Sequence, residues 1–458
     1  MEKKISGLIS RPLYPYLYCF AFLCYKTARY LPSFKLSTAL AGLLILVAVC
    51  WFFSFFLKKI SRSSYHDITV VILMVSLLHV AGVAQLAGHN YSYVPDSFYI
   101  LFYSITLAII VLAEFAGRKI SPRFAIRINR SFNVFLLIIS MVFIVQAVLT
   151  GSWQKRYSRA HRLAAQRPAD TSRKKDIVWL LFDEYASSAS LCHQFNFENT
   201  LDSQLTRRGF AVLPDMKSRF NNTLFSLNAI FNEDDSTVPA SFYEGVRSLK
   251  ESSWDSSLEA DGYRFVNLGL FNIGNHHQLS DRSGYPQTYL QQLMTGTIFN
   301  VIIAKKKFTV AECDKYDLEV LRMLGDSLHV QDNHPRLIWA HISIPHEPFR
   351  RNKHGRLLDQ GVLDESDSVS VKKDYIEYLQ YGNAVLLNLL DQHPELAGKI
   401  VIMSGDHGPR FRFFKEKQYQ YCPFASAYFP TAYDTAALHK LRYISQLPDF
   451  ILHYIAKQ

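Results

Sequence analysis

KIVIMSGDHGPRF, residues 399–411, passes from an unbroken apolar run straight into Asp406 and His407, with Gly405 and Gly408 on either side. Ile, Val and Met in succession, without polar alternation, read as a strand buried on both faces. Strands of that kind belong to parallel sheets covered by helices, and ligands bind outside their carboxyl ends. An Asp and a His at such an end form a candidate metal-ligand pair. The two glycines are expected to keep the turn open.

Three further runs have the same texture: IVWLLF (177–182), RFVNLGL (264–270) and RLIWAHISI (336–344). The first leads into Asp183-Glu184 and the last into Pro345-His346-Glu347-Pro348. Helical stretches alternate with them, so the expected fold from about residue 176 is an α/β domain with a mostly parallel sheet. DYIEYLQYGNAVLLNLLDQH (374–393) has helical periodicity and ends before Pro394. The polar segment 351–373 reads as a surface excursion. Parallel strands bring their ends to one edge, so Asp183, His346, Asp406 and His407 are expected to converge. In SRFNNTLFSLNAIFN (218–232), Leu224, Leu227, Ile230 and Phe231 mark one helical face, and Asn222 and Thr223 sit where that helix begins. A hydroxyl there feels free backbone N–H groups and the positive end of the helix dipole, which suit an alkoxide and a phosphate. A metal beside it would activate it as a nucleophile.

The first 150 residues differ. Of the 458 residues 49% are hydrophobic, and long apolar runs crowd this part of the chain. Stretches at 37–57, 68–88, 98–116 and 132–150 are long enough to span a bilayer, and a shorter Tyr-rich one lies at 12–25. Lys58, Lys59 and Arg62 lie in one connection, and Arg118, Lys119, Arg123, Arg127 and Arg130 in another; the connection between them, 89–97, has no Lys or Arg. Basic connections stay in the cytoplasm, so five spans leave the rest of the chain outside. Lys26, Arg29 and Lys35 violate that pattern modestly. The net charge of +11 comes largely from cytoplasmic connections and from 155–175, which reads as a basic element on anionic lipid or a solvated linker. A nucleic-acid partner is rejected on that distribution. The domains read as a transmembrane region (1–150), a basic interfacial linker (151–175) and an extracytoplasmic catalytic domain (176–458).

Several residues carry weaker signals. His341 reads as a buried strand histidine, and with His346 it is a candidate substrate contact. His276-His277 is a candidate second metal site or a surface pair. Asn221-Asn222-Thr223 fits a glycosylation sequon, which is taken as chance. Cys192, Cys313 and Cys422 allow at most one disulfide in the C-terminal part. The 33 Phe and 26 Tyr are assigned to membrane and core. Each ionic motif alone has a plain alternative as a turn, a helix cap or a solvated loop.

Together, LLFDE, NNTLFSL, HISIPHEPF and MSGDHGP resemble the sulfatase-like branch of the alkaline phosphatase superfamily. More narrowly they resemble the membrane-anchored phosphoethanolamine transferases and lipoteichoic acid synthases, which also carry five spans before an extracytoplasmic domain. The resemblance implies that Asp183, Asp406 and His407 hold one divalent metal ion together with the nucleophile Thr223. It implies that His346 contacts the substrate phosphate or leaving group. Three oxygens and one nitrogen suit Zn or Mn, and Mg less well. Glu184 stands where sulfatases often have a second acidic ligand and is a further candidate. No Cys/Ser-x-Pro-x-Arg occurs in the C-terminal domain, so the formylglycine nucleophile is absent and sulfate-ester hydrolysis is not expected. The implied activity is transfer of a phospholipid head group to an envelope glycan or lipid, in an integral inner (plasma) membrane protein. A hydrolase on the same scaffold and a non-catalytic envelope protein are the alternatives.

Overall fold

The structure, a computed structural model, describes residues 10–29, 36–60, 66–86, 96–119, 121–157, 174–232, 239, 242–278, 289–299, 309–358 and 365–457. The chain forms two compact units, Met1–Ala160 with Pro286–Lys306, and His161–Tyr285 with Lys307–Gln458. The sequence boundaries did not anticipate that residues 286–306 group with the N-terminal unit. Most of the basic linker, residues 158–173, lies outside the described residues.

Among the described residues, the N-terminal unit includes α1 (Tyr14–Arg29), α2 (Leu36–Ile60), α3 (His66–Leu86), α4 (Asp96–Gly117) and α5 (Pro122–Tyr157), together with the short helix Tyr289–Met294. Three segments, Leu36–Lys59, Phe98–Gly117 and Arg123–Leu149, are long and apolar enough to cross a membrane, and His66–Val80 is a shorter apolar helix. Their outward faces are apolar, with Leu44, Ile45, Leu112 and Val148 exposed. Surfaces of that kind suit lipid rather than water. Cys19 and Phe22 of α1, Cys50 of α2 and Val70, Met74 and Leu78 of α3 form an inner cluster. Arg123, Arg127 and Arg130, read above as part of a connection, lie within α5, which begins at Pro122. Proline is tolerated at a helix start, where its missing N–H would have no partner anyway. Lys26, an exception to the charge pattern, is buried and donates to the Thr295 carbonyl, one residue past the helix Tyr289–Met294.

The C-terminal unit is built on one sheet of six strands: β1 (Ile177–Phe182), β2 (Ala211–Val212), β3 (Arg264–Leu268), β4 (Arg336–Ile342), β5 (Ile400–Gly405) and β6 (Ala425–Tyr428). Their spatial order is β2-β6-β5-β1-β4-β3. β3, β4, β1 and β5 pair in parallel, whereas β6 is antiparallel to β5 and β2 antiparallel to β6. Every residue of β1, β4 and β5 is buried, so both faces are covered, as their apolar texture requires. Each Val, Leu or Ile removed from water contributes about 1.5–3 kcal/mol, and these three strands anchor the core. Phe182 lies beside both Ile342 and Gly405. The residues after the three strands therefore leave the sheet at one level.

Four helices of this unit flank the ends of the strands or position residues near them: α6 (Thr223–Asn232), α7 (Ser253–Ala260), α8 (Val310–His329) and α9 (Ser368–Gln392). Ser252, Thr309 and Asp367 cap α7, α8 and α9 with side-chain oxygens. The cap at Asp367 starts α9 earlier than the periodicity suggested. It absorbs the end of the polar 351–373 segment, of which 359–364 lie outside the described residues. All six cysteines are free.

Candidate metal and nucleophile site

Asp183 and Glu184 follow β1. Glu184 adopts a left-handed backbone with φ 58°. That conformation costs a non-glycine residue about 1–2 kcal/mol. Two bonds hold it: the Glu184 N–H donates to Asp406 Oδ1 at 3.0 Å, and the Tyr375 hydroxyl donates to the Glu184 carbonyl at 2.8 Å. The turn leaves Asp183 pointing into the site while Glu184 reaches aside to Arg410, whose Nε donates to Glu184 Oε1 at 2.7 Å.

Asp406 and His407 follow β5 and are fully buried. Asp406 Oδ1 is fixed by the Glu184 N–H and, at 2.9 Å, by the His407 N–H. Asp406 Oδ2 is buried without a hydrogen-bond partner. His407 Nδ1 lies 2.9 Å from the Gly408 carbonyl, which can only accept. The proton therefore sits on Nδ1, and Nε2 presents its lone pair to the site. The glycines matter for a reason other than the expected turn. Neither has a positive φ. Instead, a Cβ on Gly405 would lie 2.5 Å from the Tyr185 carbonyl oxygen, and one on Gly408 would collide with that of Tyr419.

Thr223 opens α6, a buried helix. Its Oγ1 is 3.4 Å from Asp183 Oδ1 and 3.5 Å from His407 Nε2, which is 3.2 Å from Asp406 Oδ2. Asp183, Asp406 and His407 form a buried group whose ligand atoms all lie within 4.8 Å of one another. Tetrahedral sites with bonds of about 2.0–2.1 Å place their donors roughly 3.3–3.4 Å apart. The donor set, its spacing and the orphaned Asp406 Oδ2 all fit one divalent ion.

The charges agree. Burial works against ionisation of Asp183, but the charge of His346 and the hydrogen bond from His341 outweigh it and hold the carboxyl far below the usual range. Asp406 is pushed up by its burial and by the neighbouring Asp183 charge. Two buried carboxylates sharing a site in this way are relieved by a bound cation.

His341 is fully buried on β4, with Nε2 3.2 Å from Asp183 Oδ2, and it supports that ligand from beneath. His346 is half-open at the rim. Its Nδ1 is 2.5 Å from the Glu347 carbonyl, and its Nε2 is 3.4 Å from Arg410 Nη2 and 3.9 Å from Glu184 Oε1. Burial lowers its affinity for a proton, but Glu184 and Asp183 outweigh that and push it up to about 9. Sequence reading missed Arg410, although it stands three residues after His407. Its partner Glu184 is 226 positions away, and only the left-handed turn brings the two together. His276, a candidate for a second metal site, sits between Glu259 Oε1 at 3.0 Å and Asp255 Oδ1 at 3.4 Å, away from this group.

No family model matches the chain, and no curated protein matches it. Among solved structures, the chain is similar to the integral membrane lipooligosaccharide phosphoethanolamine transferase A of Neisseria meningitidis, at 12% identity and TM-score 0.42, over 98% of this chain and 95% of that one. It is similar to the C-terminal periplasmic domain of EptC from Escherichia coli in complex with Zn, at 11% identity and TM-score 0.39, over 61% and 82%. A third similar structure is the lipoteichoic acid synthase LtaP of Listeria monocytogenes, at 12% identity and TM-score 0.34, over 61% and 72%.

Proposed function

We propose that this chain is a metal-dependent transferase. It moves a phospholipid head group, of the phosphoethanolamine or phosphoglycerol type, to an envelope glycan or lipid through a phospho-threonine on Thr223. The observation that carries the proposal is the meeting of Thr223 Oγ1 with Asp183 and His407, beside an Asp406 oxygen that has no hydrogen-bond partner. The head group and acceptor class rest on the motif resemblance. The membrane-length helices of the same chain supply a reason for a lipid donor. The five-span topology, with residues 176–458 outside the cytoplasm, belongs to the same proposal.

Asp183, Asp406, His407 and Thr223 Oγ1 would hold the ion, which when bound supplies Lewis-acid stabilisation of negative oxygen and lowers the pKa of the Thr223 hydroxyl. Thr223 gives its hydroxyl proton to solvent, Oγ1 forms a bond to the donor phosphorus, and the bond from phosphorus to the diacylglycerol oxygen breaks. His346 Nε2 gives its proton to that leaving oxygen. Arg410, beside His346, offers N–H donors to the phosphoryl oxygens, and free N–H groups at the start of α6 add to them. In the second step the acceptor hydroxyl loses its proton to His346 and bonds to phosphorus. Thr223 is released and takes up a proton.

Mass spectrometry of the Thr223 peptide from protein purified out of its native membrane tests this reading. A head-group phosphate on Thr223 is the expected result. Full head-group turnover by Thr223→Ala would overturn it. Product analysis with and without acceptor separates transfer from hydrolysis.

A further inference from the structure

We infer that His329, His393 and Glu395 form a second site for a divalent transition ion such as Zn²⁺, at the opposite edge of the sheet from Thr223. His329 is the last residue of α8, His393 caps the end of α9, and Glu395 lies in the 3-10 turn Pro394–Gly398. α8 leads into β4 and the turn leads into β5, so the three side chains sit at the amino ends of those strands. Six residues of β5 separate this edge from Asp406, about 20 Å of extended chain.

The donor atoms converge on one point. His329 Nδ1 is 3.3 Å and His393 Nδ1 is 3.0 Å from the same Glu395 Oε1. All three atoms lie within 4.8 Å of one another. Two imidazole nitrogens and one carboxylate oxygen are a donor set that zinc uses with a fourth position left to water. The spacings approach the edge of a zinc tetrahedron, about 3.3 Å. The ring centroids are 5.1 Å apart, so two imidazolium charges would repel, whereas two neutral rings can both face an ion. His393 is held in place by packing: a Cβ on Gly325 would come within 3.5 Å of its Nε2. His329 is open to solvent, which gives an ion a way in.

The other group with metal-type side chains, Asp255, Glu259 and His276, has a different character. It offers a single nitrogen between two carboxylates, and an ordinary ion pair accounts for it. At His329 the carboxylate is the minority: two nitrogens face one Glu395 oxygen, which can hydrogen-bond one of them, at 3.0 Å, and leaves the pair able to share an ion. An ion there would join the C-terminal ends of α8 and α9, which precede two of the three central strands.

Zn²⁺ titration of the full chain in detergent, with metal counted by plasma mass spectrometry, tests the inference. Wild type is expected to bind two equivalents. His329→Ala, at an exposed position, should bind one and keep head-group transfer unchanged. Glu395→Gln should weaken the same class of binding at least about tenfold. Retention of both equivalents at unchanged affinity by both variants would overturn the inference, as would loss of transfer in parallel with the ion. Asp406→Asn removes the other equivalent, so failure at one site is told apart from failure at the other.

Discussion

The two ends of the same three strands treat their acids in opposite ways. At the amino end, Asp176 precedes β1 and is answered by the protein itself. Its Oδ1 accepts from the Arg336 N–H at 2.8 Å, and its Oδ2 accepts from Arg336 Nη2 and Lys399 Nζ, each at 2.8 Å. At the carboxyl end, Asp183 and Asp406 meet a hydroxyl and an imidazole lone pair, and the nearby Arg410 is engaged by Glu184. Burying a charge is costly unless it is paired. Asp176 is fully answered by protein cations, whereas Asp406 keeps one buried oxygen without a hydrogen-bond partner. This difference, rather than the bare presence of acids, marks the site.

Removing the hydroxyl from the incomplete end should have the largest effect. Thr223→Ala is expected to lower head-group transfer by at least about 10⁴-fold, since the nucleophile is gone, while the urea midpoint moves little. Next comes an acid at the carboxyl end that does have its own cation. Arg350 Nη2 donates to Asp317 Oδ2 at 2.8 Å, both side chains being buried. Arg350→Met strands that carboxylate and should cost about 3–5 kcal/mol in urea unfolding. If this variant lost its metal but not its stability, the division between structural and functional acids would fail.

Gly405→Ala forces a Cβ against the Tyr185 carbonyl and displaces Asp406. The expected loss is about 1–3 kcal/mol of stability, with weakened metal affinity by titration. The smallest effect concerns pH. Burial tends to raise the Asp176 carboxyl, but the bonds from Arg336 and Lys399 outweigh it and lower it. A lowered carboxyl contributes stability that is present above its unfolded pKa of about 4 and is lost as pH falls through the folded value. Asp176→Asn should flatten that acid limb in urea unfolding and cost on the order of 2 kcal/mol at neutral pH. An unchanged limb would remove Asp176 from the comparison.

Much of the site was legible because strand ends are legible. Runs such as IVWLLF and KIVIMS announce where a buried strand stops, and parallel pairing brings Asp183 and Asp406 together although 222 residues separate Glu184 from its Asp406 partner. Thr223 was readable from the start of an apolar helical face. Side-chain pairings that depend on particular turns were not. The partnership of Glu184 with Arg410 needs a left-handed residue that no sequence pattern marks at a glutamate. The need for Gly405 and Gly408 comes from carbonyls contributed by distant segments. The grouping of residues 286–306 with the N-terminal helices was equally hidden, since Tyr289–Met294 is short and carries no span-length apolar signal. The basic residues of α5 misled, because charge in a helix end reads the same as charge in a loop.

The most direct measurement compares tightly bound metal in Asp406→Asn and Asp176→Asn, both purified as the full chain. Asp406→Asn is expected to lose one equivalent relative to wild type, and Asp176→Asn none. Equal metal content and equal affinity in the two variants would contradict the claim that the carboxyl edge is completed by a cation.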